Sequence, residues 1–434
     1  MNKIKQAVIL AGGRGSRLGI LTSDIPKPLI KVGDMPVIEH QIQLLHKYGV
    51  RRILITANYH HEALSKFAKK IKLQGLQLQV YVEKEPLGTA GAFPSFMDDL
   101  EEHFFILYGD VMLDMDLDRL IAFHFSHNSD ITLVTHSNDH PQDSDLIETD
   151  GANRISRFIR KPHENGFVGQ NLVNAGLYLM SKSIINGIPF RNKFDFVKDL
   201  FPTIISTKQL YSYRTSEYLK DMGTPERLER VRIDFAKGII QKRNLSNPQK
   251  AIFLDRDGVL NYDIDLISKP KDLILYDFTV EAISKINKSD YLCIVVTNQS
   301  VVARNLCTIN ELEAIHRKLD MELAKGGAKL DALYYCPFHP DKGYPEENPN
   351  FKSEHHWRKP NDGMLLQAAN DYNINLSESY MIGDRETDIE AGRKAGVITI
   401  GVDTGYGLKS RTINPDFFFK NLNKAVEFII ENNS

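Results

Sequence analysis

Short apolar runs alternate with stretches of helical periodicity along almost the whole chain. Runs at 6–11, 52–57, 79–83, 104–108 and 131–135 are rich in Val, Ile, Leu and aromatic residues, and they read as strands. Between them, 37–48 and 62–71 repeat apolar positions at helical spacing. This β-α-β rhythm predicts a largely parallel sheet covered by helices, with ligands bound at the carboxyl ends of the strands. The rhythm pauses after a helix expected from Pro225 to about Lys237. The stretch 238–250, GIIQKRNLSNPQK, is polar, contains Pro248 and lacks a sustained apolar face, so it reads as a linker. A fully apolar strand at 251–254 follows, and the alternation resumes with strands at 291–296, 333–335, 380–382 and 397–400. The expected organisation is therefore two α/β domains, 1–237 and 251–434, joined by that linker. The chain length of 434 residues agrees, because cores stop growing beyond roughly 250 residues.

Composition narrows the function classes. A formal charge of −2 gives no basic surface for a nucleic-acid backbone, although local Lys and Arg can still serve small phosphorylated ligands. Cys293, Cys307 and Cys336 are too few for a disulfide framework. The apolar stretch near the N-terminus is too short to span a bilayer and lacks a cleavage site, and no other run approaches that length. No membrane partner and a cytoplasmic location are the expectations.

The first candidate site follows the strand at 6–11. Ala11-Gly12-Gly13-Arg14-Gly15-Ser16-Arg17-Leu18 can turn backbone N–H groups toward an anion, with Arg14 and Arg17 adding charge. It is not a Walker loop, since no Gly-Lys-Ser/Thr follows. It is not the dinucleotide fingerprint either, because Leu18 stands where the third glycine belongs. A lone Pro26-Lys27-Pro28 would ordinarily be a solvated turn. Behind this loop, the combination resembles the sugar nucleotidyltransferase family, whose hallmark is Gly-Gly-x-Gly-Ser/Thr-Arg-Leu followed by Pro-Lys-Pro.

Further stations keep the same order: Glu85-Pro86-Leu87-Gly88-Thr89-Ala90-Gly91, Tyr108-Gly109-Asp110, Asn174-Ala175-Gly176 and Asp221-Met222-Gly223-Thr224-Pro225. The resemblance implies a Rossmann-like domain with a mixed sheet of the GT-A kind. It implies that Ala11, Gly12, Gly13, Gly15, Gly88 and Thr89 bind the nucleotide, and that Arg17 and Lys27 offset triphosphate charge. Asp110 and Asp221 would hold Mg²⁺, which takes oxygen ligands and few carboxylates. Asn174, Gly176 and Lys161 would receive the sugar phosphate. The family usually reads Glu-Lys-Pro where this chain has Arg160-Lys161-Pro162, which leaves sugar identity more open than reaction type.

The second candidate site follows the strand at 251–254. Asp255-Arg256-Asp257-Gly258 places two carboxylates at the exit of a buried strand, which is costly unless cations neutralise them. Later come Thr297-Asn298-Gln299-Ser300, Arg358-Lys359-Pro360 and Gly383-Asp384-Arg385-Glu386-Thr387-Asp388. The four together resemble the haloacid-dehalogenase-type (HAD) phosphatases and imply a parallel sheet with Mg²⁺ at its carboxyl edge. In that reading Asp255 is the nucleophile and Asp257 the acid and base. Lys359 and Thr297 hold charge and phosphoryl group, Asn298 and Arg358 contact the sugar phosphate, and Asp255, Asp257 (through its carbonyl) and Asp384 ligate the metal.

Finer similarity, in DRDGVLN at 255–261 and Thr297–Ser300, points to the heptose-bisphosphate phosphatases and their histidinol-phosphatase cousins. That group commonly binds structural zinc through Cys-x-His and Cys-x-Cys pairs. Here Cys336 remains, Phe338 replaces the histidine, and His355 and Trp357 stand at the cysteine pair. A rearranged set of Cys336, His339, His355 and His356 is conceivable, but the loop is expected to pack around Trp357 without zinc. Val301 replaces a glycine common in the group.

The two resemblances imply consecutive steps. A heptose 1,7-bisphosphate loses its 7-phosphate, and the heptose 1-phosphate is then activated by a nucleoside triphosphate, GTP being favoured, for surface-polysaccharide assembly. A different sugar or polyol phosphate with CTP or UTP keeps both mechanisms. A nucleotide-sensing domain without turnover is the alternative of another class, disfavoured because Lys27, Asp110 and Asp221 are all kept. Transferases of this family often associate through C-terminal helices, so a homo-oligomer is a further expectation.

Overall fold

The computed structural model describes residues 3–13, 17–19, 25–164, 168–186, 188, 190, 193–341, 347–407 and 413–432. Gly15, with Arg14 and Ser16 of the expected anion loop, lies outside them. Strand Gln6–Leu10 is the centre of the first sheet, flanked in parallel by Arg52–Ala57 and His103–Tyr108. Its alternation sorts two core layers. Ala7 and Ile9 pack with Ile38, Ile42 and Leu45 of helix Val37–Lys47, and Val8 packs with Phe93, Phe104 and Phe196.

Beyond His103–Tyr108 the sheet stops being parallel. Val173–Ser181 runs antiparallel to His103–Tyr108 and to Ile131–His136, and Leu210–Arg214 then runs parallel to Ile131–His136. The result is a mixed sheet of nine strands, of the kind the family resemblance implied rather than the largely parallel one the periodicity suggested. Strand Val173–Ser181 hides in the sequence because Asn174-Ala175-Gly176 has turn composition. It is instead a bulge, where the register with Ile131–His136 shifts and Gly176 takes a φ of 74°.

A separate antiparallel ribbon joins Val111–Asp114 to Tyr218–Asp221. Helix Pro225–Ala236 backs it, started by the Thr224 side chain and by proline at its first position. Ile240 is buried in the same cluster as Met112, Tyr218, Leu228 and Val231. The segment expected as a linker thus begins as helix Ile239–Lys242, which is too short to show periodicity.

Helix Leu117–Ser126 carries an unusual polar contact. His124 is fully buried, with Nδ1 2.8 Å from Thr132 Oγ1 and Nε2 3.2 Å from His103 Nδ1. Burial, helped by His103, pushes its pKa down to about 3, so the folded state keeps it neutral. Its contribution is complete above the unfolded value near 6.5 and is lost as pH falls from there toward 3. Denaturation midpoints of the wild type should fall between pH 7 and 5, by roughly 1–3 kcal/mol of stability. His124→Gln should flatten that dependence; an equally steep one would show that the loss originates elsewhere.

The chain divides into two units: 1–136, 147–159 and 173–244 form one, and 137–146, 160–172 and 245–434 the other. The second contains a parallel sheet of six strands, ordered Ala332–Cys336, Tyr291–Asn298, Lys250–Leu254, Tyr380–Gly383, Ile398–Val402 and Phe417–Phe419. Ile252 and Leu254 face one helical layer, and Ala251 and Phe253 the other. The central strand is apolar on both faces, as a covered parallel sheet requires. No helix among the described residues is long and apolar enough to cross a membrane.

Candidate active sites

In the first unit, the carboxyl end of Gln6–Leu10 is closed in by neighbouring strands. Ala11 N–H donates to Thr56 O at 2.9 Å, and Gly109 N–H to Leu10 O at 2.9 Å. A side chain at Gly109 would press on Leu10 O and Pro28, so glycine lets the two strand ends converge. Lys27 is buried in a short turn and its ammonium pairs with Asp110. The ribbon brings the backbones of Asp110 and Asp221, so distant in sequence, next to each other. Asp221 is registered opposite Val111, and Met222 N–H donates to Asp110 O at 3.0 Å.

Asp221 is held by Arg227, whose Nη1 donates to both carboxylate oxygens at 2.8 and 2.9 Å, and by Gly223 N–H at 3.0 Å. The Arg17 guanidinium lies against Gly223. Each carboxylate of the expected metal pair therefore sits beside a cation of the chain. Oxygen donors from two adjacent strands suit Mg²⁺, which dehydrates reluctantly and is content with two carboxylates plus phosphate oxygens.

The second loop is pinned by its own polar groups. Gly88 has φ 80° and faces Phe194 O, leaving no room for a side chain. Thr89 Oγ1 donates to Asp195 Oδ2 at 2.8 Å and accepts from Phe196 N–H at 2.9 Å. Thr89 thus fixes the loop with its side chain. Asn174 Nδ2 donates to Tyr178 Oη at 2.7 Å, its Oδ1 accepts from Gly176 N–H at 3.1 Å, and Gly176 packs on the Tyr108 ring. Glu83, which sequence reasoning passed over, faces Gly12 and is pushed up by burial. Lys161 belongs to the other unit, where its Nζ donates to Asp143 O at 2.8 Å and Asp143 Oδ1 at 3.0 Å.

In the second unit three parallel strand ends converge. Asp255 follows Lys250–Leu254 and its N–H donates to Ile382 O at 3.0 Å. Asp384 follows Tyr380–Gly383, and Asp388 lies one turn into helix Glu386–Ala395. Carboxylate oxygens of all three lie within 4.8 Å of one another, and all three are buried. Lys359 Nζ, 2 % exposed, lies 2.8 Å from Asp255 Oδ1 and 2.6 Å from Asp388 Oδ1, and donates to Val296 O at 2.8 Å.

One ammonium cannot balance three carboxylates. Burial, with Asp388 and Asp255 adding to it, holds Asp384 well above the ordinary carboxylate range. Burial also raises Asp255, with Lys359 pulling against it. Asp384 Oδ2 accepts from Tyr406 N–H at 2.7 Å, while Oδ1 is buried with no hydrogen-bond partner among the described residues. Gly258 and Gly405, both at positive φ, pack against this carboxylate where any Cβ would collide with it. An orphaned oxygen, surplus negative charge and a glycine cradle fit a divalent cation with oxygen preference. Asp388 appeared in the sequence motif without a role. Its spacing of four from Asp384 was the available signal.

Asp257 stands in different surroundings. Arg256 Nε and Nη2 reach its two oxygens at 3.1 and 2.9 Å, Asn261 Nδ2 donates at 2.9 Å and Gln299 Nε2 at 2.8 Å. Burial acts to raise its pKa, but Arg256 and these donors outweigh it and hold the carboxyl below the usual range. Thr297 Oγ1 accepts from Gln299 Nε2 at 3.0 Å. The Asn298 amide brackets the Lys359 backbone, donating to Lys359 O at 2.9 Å and accepting from its N–H at 3.0 Å. Arg358 Nη1 donates to Phe338 O at 3.0 Å.

Around Trp357, the His355 ring stacks on Phe338 at 4.4 Å and on His356 at 4.6 Å. His339 Nδ1 accepts from Asp341 N–H at 3.1 Å, and the Cys336 thiol is buried and raised. The Asp255, Asp384 and Asp388 group is the one set of three or more ligand side chains that converges among the described residues. Val301 is buried in the core, where it fills space beside the loop.

Comparison with known proteins gives one family for the N-terminal part of the chain and another for the C-terminal part. Residues 6–238 match the nucleotidyl transferase family, and residues 356–425 match the HAD-hydrolase-like family. A mannose-1-phosphate guanyltransferase of Candida albicans is 38 % identical over 227 residues, 51 % of this chain, which spans 62 % of that relative's length. A D-glycero-D-manno-heptose-1,7-bisphosphate 7-phosphatase of Thermosynechococcus vestitus is 38 % identical over 191 residues, 42 % of this chain and 96 % of the relative. Among solved structures, HddC from Yersinia pseudotuberculosis complexed with GMP-PN is 27 % identical, with 54 % of this chain and all of that chain covered at a TM-score of 0.47.

Proposed function

From a chain that belongs to the nucleotidyl transferase family through residues 6–238 and carries a HAD-type phosphatase domain behind it, we propose a two-step nucleotide-sugar synthase. The C-terminal domain acts first and removes the 7-phosphate of a heptose 1,7-bisphosphate. The N-terminal domain then transfers GMP from GTP to the heptose 1-phosphate and releases pyrophosphate. The observation that carries this reading is the buried cluster of Asp255, Asp384 and Asp388, in which Lys359 pairs with Asp255 and Asp388.

In the phosphatase step, an Asp255 oxygen attacks phosphorus, and the bond from phosphorus to the sugar O7 breaks as Asp257 delivers a proton to that oxygen. Water then attacks the aspartyl-phosphate, giving its proton to Asp257, and inorganic phosphate leaves. Lys359 holds charge at nucleophile and phosphoryl group, and Thr297 orients the phosphoryl oxygens. Asp255, Asp384 and the Asp257 carbonyl would hold Mg²⁺, which supplies positive charge against the phosphoryl oxygens.

In the transfer step, an oxygen of the sugar phosphate attacks the α-phosphorus of GTP, and the bond to the departing pyrophosphate breaks. The attacking phosphate is already anionic, so no general base is needed. Lys27 and Arg17 oppose the charge that gathers on the triphosphate. Asp110 and Asp221 would hold a second Mg²⁺, and the loops at Gly12–Gly13 and Gly88–Thr89 would receive phosphates and base.

The guanylyl choice rests on the guanyltransferase relatives and the heptose choice on the phosphatase relative. Incubation with D-glycero-D-manno-heptose 1,7-bisphosphate, Mg²⁺ and either GTP, CTP or UTP should yield one nucleotide-sugar, with the mass of a GDP-heptose. A CDP- or UDP-sugar instead would overturn the base assignment. Release of neither phosphate nor pyrophosphate would overturn the reading.

Gly258→Ala tests the cradle around Asp384. The substitution puts a Cβ into the carboxylate at a φ of 81°, a conformation costing about 1–3 kcal/mol. Phosphate release should fall about 100-fold, with nucleotidyl transfer from ready-made heptose 1-phosphate unchanged. Unaltered phosphate release would mean that Asp384 need not sit where it does.

A further inference from the structure

Arg256 lies between the two aspartates of the phosphatase motif and is wholly buried, although its side chain carries a permanent charge. A buried guanidinium is tolerated when its partners are fixed and charge-matched, and here they form a closed ring. Arg256 Nη2 donates to Gln299 Oε1 at 2.8 Å and reaches Asp257 Oδ2 at 2.9 Å. Gln299, 2 % exposed, donates through Nε2 to the same Asp257 oxygen at 2.8 Å and to Thr297 Oγ1 at 3.0 Å. Asn261 Nδ2 takes the other Asp257 oxygen at 2.9 Å. One amide therefore ties together Asp257, Thr297 and Arg256, which come from two neighbouring strand ends.

We propose that Gln299 and Arg256 are positioning residues for proton transfer, fixing the Asp257 carboxyl in the orientation that reaches the leaving oxygen. This rests on the phosphatase reading above. Neither residue is offered as touching substrate; both act through Asp257, and Gln299 also through Thr297. A carboxyl clamped on both oxygens has one orientation, whereas a carboxyl released from Gln299 can rotate away from the departing alkoxide. The ring leaves Asp255 and Lys359 outside it and reaches the phosphoryl group only through Thr297, so attack on phosphorus should change far less than protonation of the leaving oxygen.

The distinguishing readout is leaving-group dependence. An alkoxide such as a sugar oxygen needs a proton as it departs, and p-nitrophenolate does not. Single-turnover release of the leaving group, heptose 1-phosphate from the bisphosphate or p-nitrophenol from p-nitrophenyl phosphate, is measured with enzyme in excess for the full-length wild type, Gln299→Leu and Arg256→Lys, so that hydrolysis of the aspartyl-phosphate, which needs Asp257 for either substrate, stays out of the rate. With Gln299→Leu, that single-turnover rate should fall about 100-fold for the heptose bisphosphate and less than about fivefold for the aryl ester. Arg256→Lys, which keeps charge but loses the fork, should show the same pattern more weakly.

An equal fall on both substrates in both variants would overturn the proposal, since it would mark general damage to the site. An unchanged single-turnover rate on both substrates would overturn it equally. A wild-type protein inactive on both esters would instead sink the phosphatase reading, before any variant is compared.

Discussion

Asp255→Asn should lower phosphate release by about 10⁴-fold or more while leaving transfer from GTP to supplied heptose 1-phosphate at the wild-type rate. The size of the effect follows from what the carboxylate does. It supplies the electron pair that attacks phosphorus, and an amide of the same shape is a far weaker nucleophile. The substitution is also gentle on the fold. Asp255 is buried beside Lys359, Asp388 and Asp257, and burial already works against its charge. Removing one of three crowded carboxylates relieves repulsion there, and Lys359 keeps Asp388 and Val296 O as partners. Loss of activity with an unchanged or raised unfolding temperature is the expected combination. A variant retaining even a tenth of the phosphate release would exclude Asp255 as the nucleophile.

Asp110→Asn should do the converse: pyrophosphate release falls about 10³-fold or more, and the phosphatase is untouched. Asp110 pairs with Lys27 at the entrance to the ribbon and stands beside Asp221 through the pairing of Val111–Asp114 with Tyr218–Asp221. The neutral amide removes half of the carboxylate charge from that pair. It also frees Lys27 to swing, so metal binding and triphosphate contact both weaken. Mg²⁺ titration of the transfer rate separates the two effects. A rate restored by raising Mg²⁺ alone would locate the loss in metal affinity, and a rate that stays low would locate it in the chemical step. Full activity at ordinary Mg²⁺ would contradict the role given to Asp110 and would revive the idea of a domain that senses nucleotide without turning it over.

Much of this could be seen in the chain before any coordinates. The strands that carry Asp110, Asp255 and Asp384 toward their sites are strongly apolar and short, so composition alone marks His103–Tyr108, Lys250–Leu254 and Tyr380–Gly383 within a residue or so. Aspartates directly after such strands invite a charge-balance question, and that question leads to lysine and metal. Other features were concealed for definite reasons. Tyr218–Asp221 is half polar, and it gains its strand character from pairing with Val111–Asp114 rather than from its own sequence. Val173–Ser181 contains a bulge whose Asn-Ala-Gly resembles a turn.

Side-chain roles were harder still, because they depend on direction. The motif suggests a substrate contact for Asn298 and gives no hint that its amide brackets the Lys359 backbone. Gln299, one residue on, points the other way toward Asp257, as alternation along an extended segment requires. Arg256 offered a clue that went unread: an arginine enclosed between two aspartates at a buried strand exit has to be paired internally.

Mixing the two single variants provides the sharpest trial. Asp255→Asn and Asp110→Asn proteins, each unable to form product alone from heptose 1,7-bisphosphate, GTP and Mg²⁺, are combined and the nucleotide-sugar is followed by mass. Two separate strand-end sites predict that the mixture regains GDP-heptose, because the intact phosphatase of one protein feeds the intact transferase of the other. A mixture as silent as its components, with both single activities still measurable in isolation, would contradict an intermediate that leaves one site and is used at the next.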